Sequence, residues 1–377
     1  MALSFPLPAR LACFYFLFFA YSAAYVAYLP LYLAGRGLDA GEIAVVLALP
    51  QLARIFAPAA WGVLADRYGA RRAIVAASCA AMALCFAALP FAQSARAIGW
   101  LIALTGVFSA GALPLVEAMT LAAPGGPARY GPIRLWGSVG FIVVLLAGGA
   151  WVEAVPLATL PPALAAIALA ALASAATLPA GVRHPAQRGL WVEVSPAPRA
   201  VLGGGFCMAA AHGALYAFYT LQLQREGYSG VAIGVMWTIG VVAEIAVFAW
   251  LPALLRRHAL SAILLFSFGC AVARFLVIGW LPSMLWLMVA AQLLHAATFG
   301  SFHAASVAAI HRAFPEHALA RGQALFSSVA YGAGGAAGAL LAGWGWEQGG
   351  PPLAFSLAAA SALAGTYFAY RLRRAGF

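Results

Sequence analysis

Charge is what this sequence has least of. Only 8% of its 377 residues are Asp, Glu, Lys or Arg, against roughly 25% in a soluble domain. Lysine is absent, so all 21 basic residues are arginine. A surface this short of charge could not keep the chain dissolved in water. With 65% hydrophobic residues and a mean hydropathy of +0.93, lipid is the solvent that suits it. The net charge of +11 does not point to nucleic acid, because the arginines sit in short gaps between apolar runs and form no basic stripe with interleaved aromatics. Arginine without lysine, beside so much alanine, fits a GC-rich bacterial genome. Cysteine is scarce too. Cys13, Cys79, Cys85, Cys207 and Cys270 each lie inside an apolar stretch, with neither metal-ligand spacing nor a loop to staple. They read as small hydrophobes, and no metal is expected. There is no Walker-type glycine loop, no Ser-His-Asp set and no paired loop carboxylates, so neither ATP-driven chemistry nor an enzyme is expected, and no cofactor.

What is present is a series of long apolar runs. A spanning helix needs about 20 such residues. Runs of that size fall at roughly 10–33, 42–64, 72–90, 97–120, 133–153, 157–179, 200–223, 230–255, 259–281, 283–309, 321–345 and 351–370. The first is long enough to span, so it is a helix and not a signal peptide. Nothing alternates with period two, and open strands cannot cross lipid, so the fold class is an all-α membrane protein of twelve transmembrane helices. With the N-terminus in the cytoplasm, sixteen of the arginines fall at cytoplasmic ends and only Arg36, Arg96 and Arg225 fall in outer loops. Arg54 and Arg274 lie mid-span. Both termini are then cytoplasmic, in a bacterial cytoplasmic (inner) membrane. The longest polar stretch runs from Gly181 to Arg199 and holds Pro185, Pro196 and Pro198. It divides the chain into six spans (1–180), a cytoplasmic linker (181–199) and six more spans (200–377).

The loop after the second span reads Gly62-Val-Leu-Ala-Asp66-Arg67-Tyr-Gly69-Ala-Arg71-Arg72. Gly62 would let a neighbouring helix approach closely. Asp66 could accept from nearby arginines and from the first amides of a helix in the other half, which would latch one conformation. A plain charged loop obeying the orientation rule is the alternative. The pattern resembles the signature of the major facilitator superfamily, and the equivalent loop after the eighth span keeps only Arg256 and Arg257. Within that superfamily the chain resembles the lactose permease and phenylpropionate permease group of proton symporters. The likeness is carried by the aromatic first span with its Leu29-Pro30-Leu31-Tyr32-Leu33 exit, by Pro114-Leu-Val116-Glu117 and Tyr130-Gly131-Pro-Ile-Arg134, and by Gln292-Leu-Leu-His295-Ala-Ala-Thr298-Phe299-Gly300-Ser-Phe-His303. The last of these is closer to the phenylpropionate branch. The resemblance implies two pseudo-symmetric six-helix bundles that rock about a solute site at the membrane midplane. It implies a Glu117–Arg134 pair near the solute and a substrate-binding role for Glu244. The sugar-permease carboxylate one turn after the tenth-span histidine is Thr298 here, so that proton pathway does not carry over.

Ionisable residues inside a membrane cost about 2.5–3.5 kcal/mol each on insertion scales, so each is a functional candidate. Arg54, Glu117, Arg134, Glu244 and Arg274 lie within or at the ends of spans. Glu117 and Arg134 could pair for structure alone, as could Glu244 with Arg274. Arg54 could face a cavity or snorkel to the interface. One cation is left over in this set, which suits a carboxylate. His295, Phe299 and His303 recur every four residues on one face, and imidazole titrates near pH 6.5, within reach of a proton gradient. His212, Tyr216 and Tyr219 make a similar stripe that reads as packing. Phe14, Phe18, Tyr21, Tyr25 and Tyr28 form one aromatic face of the first span, either cavity wall or helix packing. Gly332, Gly334, Gly335 and Gly338 suit a sliding contact between halves.

The expected function is secondary active transport of a small organic solute by alternating access, as proton-coupled symport of an aromatic or other organic carboxylate. The expected polar site is Glu117, Arg134, Glu244 and His295, walled by Tyr21, Tyr25 and Phe141. Proton coupling falls to Glu244 or Glu117 with His295 or His303, and the conformational latch to Gly62, Asp66, Arg67, Gly69 and Arg71. The proton gradient is the energy source, and the partners are the solute and the bilayer, with the protein a monomer. Alternatives are proton-antiport efflux of drugs or metabolites, sugar or nucleoside symport, and a non-transporting membrane sensor.

Overall fold

The computed structural model describes residues 5–180 and 196–377. The described residues are almost wholly helical, with no strand among them. The helices are α1 (Leu7–Gly35), α2 (Ala40–Tyr68), α3 (Arg71–Phe91), α4 (Ala95–Ala122), α5 (Gly126–Ala154), α6 (Leu157–Ala176), α7 (Pro196–Arg225), α8 (Gly230–Arg257), α9 (Leu260–Trp280) and α10 (Leu285–Ala313). An eleventh apolar helix, Leu319–Arg374, has 56 residues. A straight helix of that length would run on the order of 84 Å, nearly three times the hydrocarbon thickness of about 30 Å. It breaks at Gly349 and Gly350, where the backbone leaves helical geometry ahead of Pro351 and Pro352. The break gives α11 (319–348) and α12 (351–374), and so twelve crossings. Most of the expected linker, 181–195, lies outside the described residues, and its last four residues, 196–199, open α7 instead of forming loop.

Local signals explain several boundaries. Asp39 and Glu42 form a reciprocal capping box at the start of α2, with Asp39 Oδ1 accepting from the Glu42 amide at 2.8 Å. Ser94 and Ser229 cap α4 and α8 in the simpler way. Gly69 ends α2 at φ 64°, a left-handed geometry that glycine adopts without strain. Inside α2 the helix is interrupted over Arg54, Ile55 and Phe56. Pro58 explains the interruption, since it has no amide hydrogen and its ring clashes with the carbonyl four residues earlier, that of Arg54. In α10 and α11 the backbone widens into π-helical turns at Ala296–Ser301 and Ser327–Gly334.

Large apolar side chains such as Trp250 (76% exposed), Leu84 and Phe266 point outward, where lipid would solvate them. The helices before the linker pack on one another, α1 against α5 and α6, α3 against α4 and α6, and α2 against α4. Those after it do the same, with α7 against α11 and α12 and α9 against α12. Between the two groups the main contacts are α5 with α8, α2 with α11 and α1 with α7, with α2 also touching α7. They lie toward the arginine-poor face. A Cβ on Gly149 of α5 would run into the Gly230 carbonyl of α8, so the two backbones touch there. The Tyr28 hydroxyl donates to the Leu145 carbonyl nearby. At mid-depth the Ser328 hydroxyl donates to the Ile55 carbonyl at 2.9 Å. From that level to the arginine-rich face, Arg199 and Arg321 set aside, no hydrogen bond, ion pair or ring contact joins the groups among the described residues. The expected glycine interface in α11 is divided. Gly332 and Gly335 face α2 of the other group, while Gly334 and Gly338 admit the α7 backbone of their own.

Two carboxylates close the arginine-poor face in a matched arrangement. Glu347, at the end of α11, accepts the Gly41 amide at the start of α2 at 2.7 Å. Glu153, at the end of α5, accepts the Val231 amide at the start of α8 at 3.3 Å. Each group thus offers one acid to the positive end of a helix in the other. Both acids are exposed, so each contact contributes on the order of 0.5–1 kcal/mol. Replacing both with glutamine should loosen this face. Spin labels on the outer ends of α2 and α11 should report longer, broader distances than in the wild-type protein, whereas unchanged distances would mean that helix packing alone holds the face shut.

Candidate functional site

Arg274 of α9 is the largest fully buried side chain, 1% exposed. A guanidinium so placed destabilises the fold unless most of its N–H groups find acceptors, and here both terminal nitrogens do while Nε does not. It donates to His295 Nδ1 at 3.0 Å, Thr298 Oγ1 at 3.1 Å and Gln292 Oε1 at 3.2 Å, all on α10. It reaches His212 Nε2 of α7 at 3.4 Å. Guanidinium has only donors, so both imidazole nitrogens facing it are acceptors. His212 is settled from the other side as well, because its Nδ1 lies 2.9 Å from the Met208 carbonyl and must donate there. His295 with Nδ1 accepting carries its proton on Nε2, which points at Glu244 Oε2 of α8 at 3.7 Å. The result is a chain from Glu244 through His295 to Arg274. The pairing of Glu244 with Arg274 weighed from sequence is therefore not direct, since a neutral histidine stands between them.

In the other group, Glu117 of α4 and Arg134 of α5 come together as expected. Arg134 Nε lies 4.0 Å from Glu117 Oε1, and the Tyr130 hydroxyl donates to the same carboxylate at 3.2 Å. The guanidinium of Arg134 lies over the Phe19 ring at 3.9 Å from its centroid, with Tyr15 beyond. Glu244 and Arg134, from opposite groups, are within electrostatic reach of each other. They therefore look onto a common space between the groups.

The remaining predicted residues fall around that space or behind it. His295, Phe299 and His303 stack as one face, with nearly parallel rings at 5.3 and 6.4 Å. His303 Nδ1 is 2.8 Å from the Tyr331 hydroxyl of α11. Tyr21 is packed against Tyr25 and Phe86, and Phe141 is half-buried against the core. Arg54 of α2 has an exposed side chain within electrostatic reach of Tyr21 and Tyr25 of α1, Tyr216 of α7 and Tyr331 of α11. These four tyrosines come from both groups, which sets the Arg54 charge toward the boundary between the groups and not out toward lipid.

The signature loop departs from its expected geometry at two points. Asp66 binds Arg71 of its own loop at 2.9 Å and, among the described residues, none of the other group. A Cβ on Gly62 would meet open space, so no described helix lies close against it. Arg67 lies over the Tyr68 ring. Sequence reasoning also missed the Arg274 cluster, reading His212 as packing and Thr298 only as a lost carboxylate. A signal was present in Gln292, His295 and Thr298, whose spacing of three puts three polar side chains on one face of an otherwise apolar helix.

Residues 9–357 match the MFS_1 like family. The chain belongs to that family. It is a major facilitator transporter of the membrane, and its family and relatives are not enzymes. Over 329 residues the transporter is 30% identical to the Escherichia coli (strain K12) protein named "Probable 3-phenylpropionic acid transporter", covering 84% of this chain and 86% of that one. It is 26% identical over 361 residues to the maltose permease of Geobacillus stearothermophilus, with 91% and 90% covered. Among solved structures it superposes on the nucleoside transporter NupG with a TM-score of 0.83 at 18% identity, covering 98% and 100%. That last likeness carries the fold alone. The transporter moves an organic solute.

The Arg274 cluster predicts a stability effect with a definite sign. Thr298→Val removes one acceptor from a buried cation while keeping the side-chain shape. It should destabilise the transporter by about 1–3 kcal/mol, read as a lower thermal unfolding midpoint in detergent. An unchanged midpoint would mean that water already serves Arg274 there.

Proposed function

We propose that the transporter is a proton-coupled symporter of an organic carboxylate, aromatic carboxylates first, working by alternating access. The observation that carries this is the charge balance of the chamber region, where Arg54, Arg134 and Arg274 stand against Glu117 and Glu244 alone. A surplus cation beside aromatic rings suits a solute with an anionic head and a flat apolar body. The 30% identity to a protein named for 3-phenylpropionic acid supports the same class. With the arginine-rich face in the cytoplasm, both termini and the segment 181–195 that precedes α7 are cytoplasmic, six helices precede that segment and six follow it, and the opening between the groups faces inward. Glu117, Arg134, Glu244 and His295 form the polar part of the site, with Tyr21, Tyr25 and Phe141 as walls. The Asp66–Arg71 loop is then a latch in its released position, to close on the other group when the inner side shuts.

Geometry favours Glu244 as the proton carrier over the other candidates. Glu117 is held by both Arg134 and Tyr130. His303 is tied to Tyr331. His295 uses Nδ1 to accept from Arg274, so a proton there would set two cations together. Glu244 is only half-buried and has a neutral imidazole for its neighbour. A proton on Glu244 removes the anion that faces Arg134 across the chamber. The chamber then becomes more positive and binds an anionic solute better, and the solute in turn favours the protonated form. That reciprocity is symport, with the proton gradient as the energy source and no cofactor.

Uptake of 3-phenylpropionate into membrane vesicles under an imposed pH gradient tests the proposal. Accumulation should follow the gradient and vanish when it is collapsed. Glu244→Gln should still bind and equilibrate the solute yet lose gradient-driven accumulation. Uptake indifferent to the gradient, or normal accumulation by Glu244→Gln, would sink the coupling scheme. Accumulation only when the gradient is reversed would mark the protein as an exporter.

A further inference from the structure

We propose that Arg54 is the residue that grips the anionic head of the solute. The idea rests on the carboxylate-transport proposal above and assigns the anchor within it. Each of the other arginines near the chamber is already engaged. Arg274 spends its donors on His295, Thr298, Gln292 and His212, and it is fully buried. Arg134 pairs with Glu117 and lies over Phe19. Arg54 has neither a hydrogen-bond acceptor nor an ion-pair partner among the described residues, and its side chain is exposed.

Its position is built by the backbone. Pro58 interrupts α2 so that Arg54 sits at the end of the helical segment Ala40–Ala53, not within a continuous helix. The interruption is held in place from the other group, because Ser328 donates to the Ile55 carbonyl and Gly332 lets α11 close on Ile55 and Gln51. Arg54 therefore stands where the seal between the groups ends and the chamber begins. Tyrosines from α1, α7 and α11 lie within electrostatic reach of its charge, two from the first group and two from the second. A carboxylate bound to Arg54 would bring the countercharge that Arg54 lacks. Its attached ring would lie among the surrounding tyrosines, with Trp237 stacked on Tyr216 behind. The ligand class is a monocarboxylate with a flat apolar body.

The test is equilibrium binding of 3-phenylpropionate and of its neutral primary amide to purified full-length protein, by intrinsic fluorescence or calorimetry. The wild-type protein should prefer the acid. Arg54→Gln should bind the acid roughly 10- to 100-fold more weakly, the range of a lost charge-assisted contact, while its affinity for the amide barely changes. The acid–amide preference should therefore collapse in Arg54→Gln, whereas Arg134→Gln, which disturbs the pair with Glu117 at the site, should weaken acid and amide alike and keep the preference. Arg54→Lys, which keeps the charge but not the planar fork, should retain the preference with an affinity between those of wild type and Arg54→Gln. The unliganded thermal midpoint of each Arg54 variant should match wild type, because no partner is lost. Equal acid affinities across the Arg54 series, or a preference erased by Arg134→Gln instead, would overturn the assignment and leave carboxylate transport standing. A wild-type protein that transports but binds no aromatic or aliphatic monocarboxylate would overturn both proposals.

Discussion

A guanidinium cannot be left alone in oil. Much of the interior of this transporter can be read as three different answers to that constraint. Arg274 is wholly enclosed and surrounded by neutral acceptors, two imidazoles, a hydroxyl and an amide oxygen. Arg134 keeps company with a carboxylate and an aromatic face. Arg54 has only the open space between the helix groups. The answers rank the three by availability, from a cation that holds α7, α9 and α10 together to one whose charge has no internal use. Neutral partners for a buried cation also fix proton positions. Because Arg274 can only donate, His212 and His295 are each held in a single tautomer, and the polarity of the chain leading to Glu244 is set by a residue that never meets the solvent.

The spans were legible in the sequence because lipid imposes a single requirement on composition and length. Eleven of the helices begin and end within a few residues of the apolar runs, and the last two are parted by Gly349-Gly350-Pro351-Pro352. The Glu117–Arg134 pair and the stacked His295–Phe299–His303 face were legible for a related reason, since helical spacing alone puts those side chains on shared faces. Contacts that depend on which way the groups are tilted could not be read. Asp66 and Gly62 carry a recognisable signature, yet their partners depend on how the groups are tilted, and here Asp66 binds within its own loop and Gly62 meets open space. The same applies to the four α11 glycines, which sort between two neighbours according to helix rotation, a property that no spacing rule supplies.

The Arg274 cluster lies between these cases. Its members are visible as rare polar residues, but they come from three helices widely separated in sequence, and a single buried cation selects them. Compositional reasoning weighed Glu244 as its partner because opposite charges attract. Packing inserted an imidazole, which keeps the acid half-exposed and chemically available. The π-helical turns beside this cluster fit a region whose hydrogen bonds are not all spent on regular helix.

Pro58 has a mechanical effect that reaches beyond one missing hydrogen bond. It divides α2 into an outer rod, clamped to α11 near Gly41 and Ile55, and an inner rod that ends at the Asp66 loop. Rods joined at an interrupted ladder can change their mutual angle without straining either ladder. Torque applied at the signature loop is therefore absorbed at the joint before it reaches the outer clamp. That joint, at the end of the outer rod, is the place where Arg54 stands.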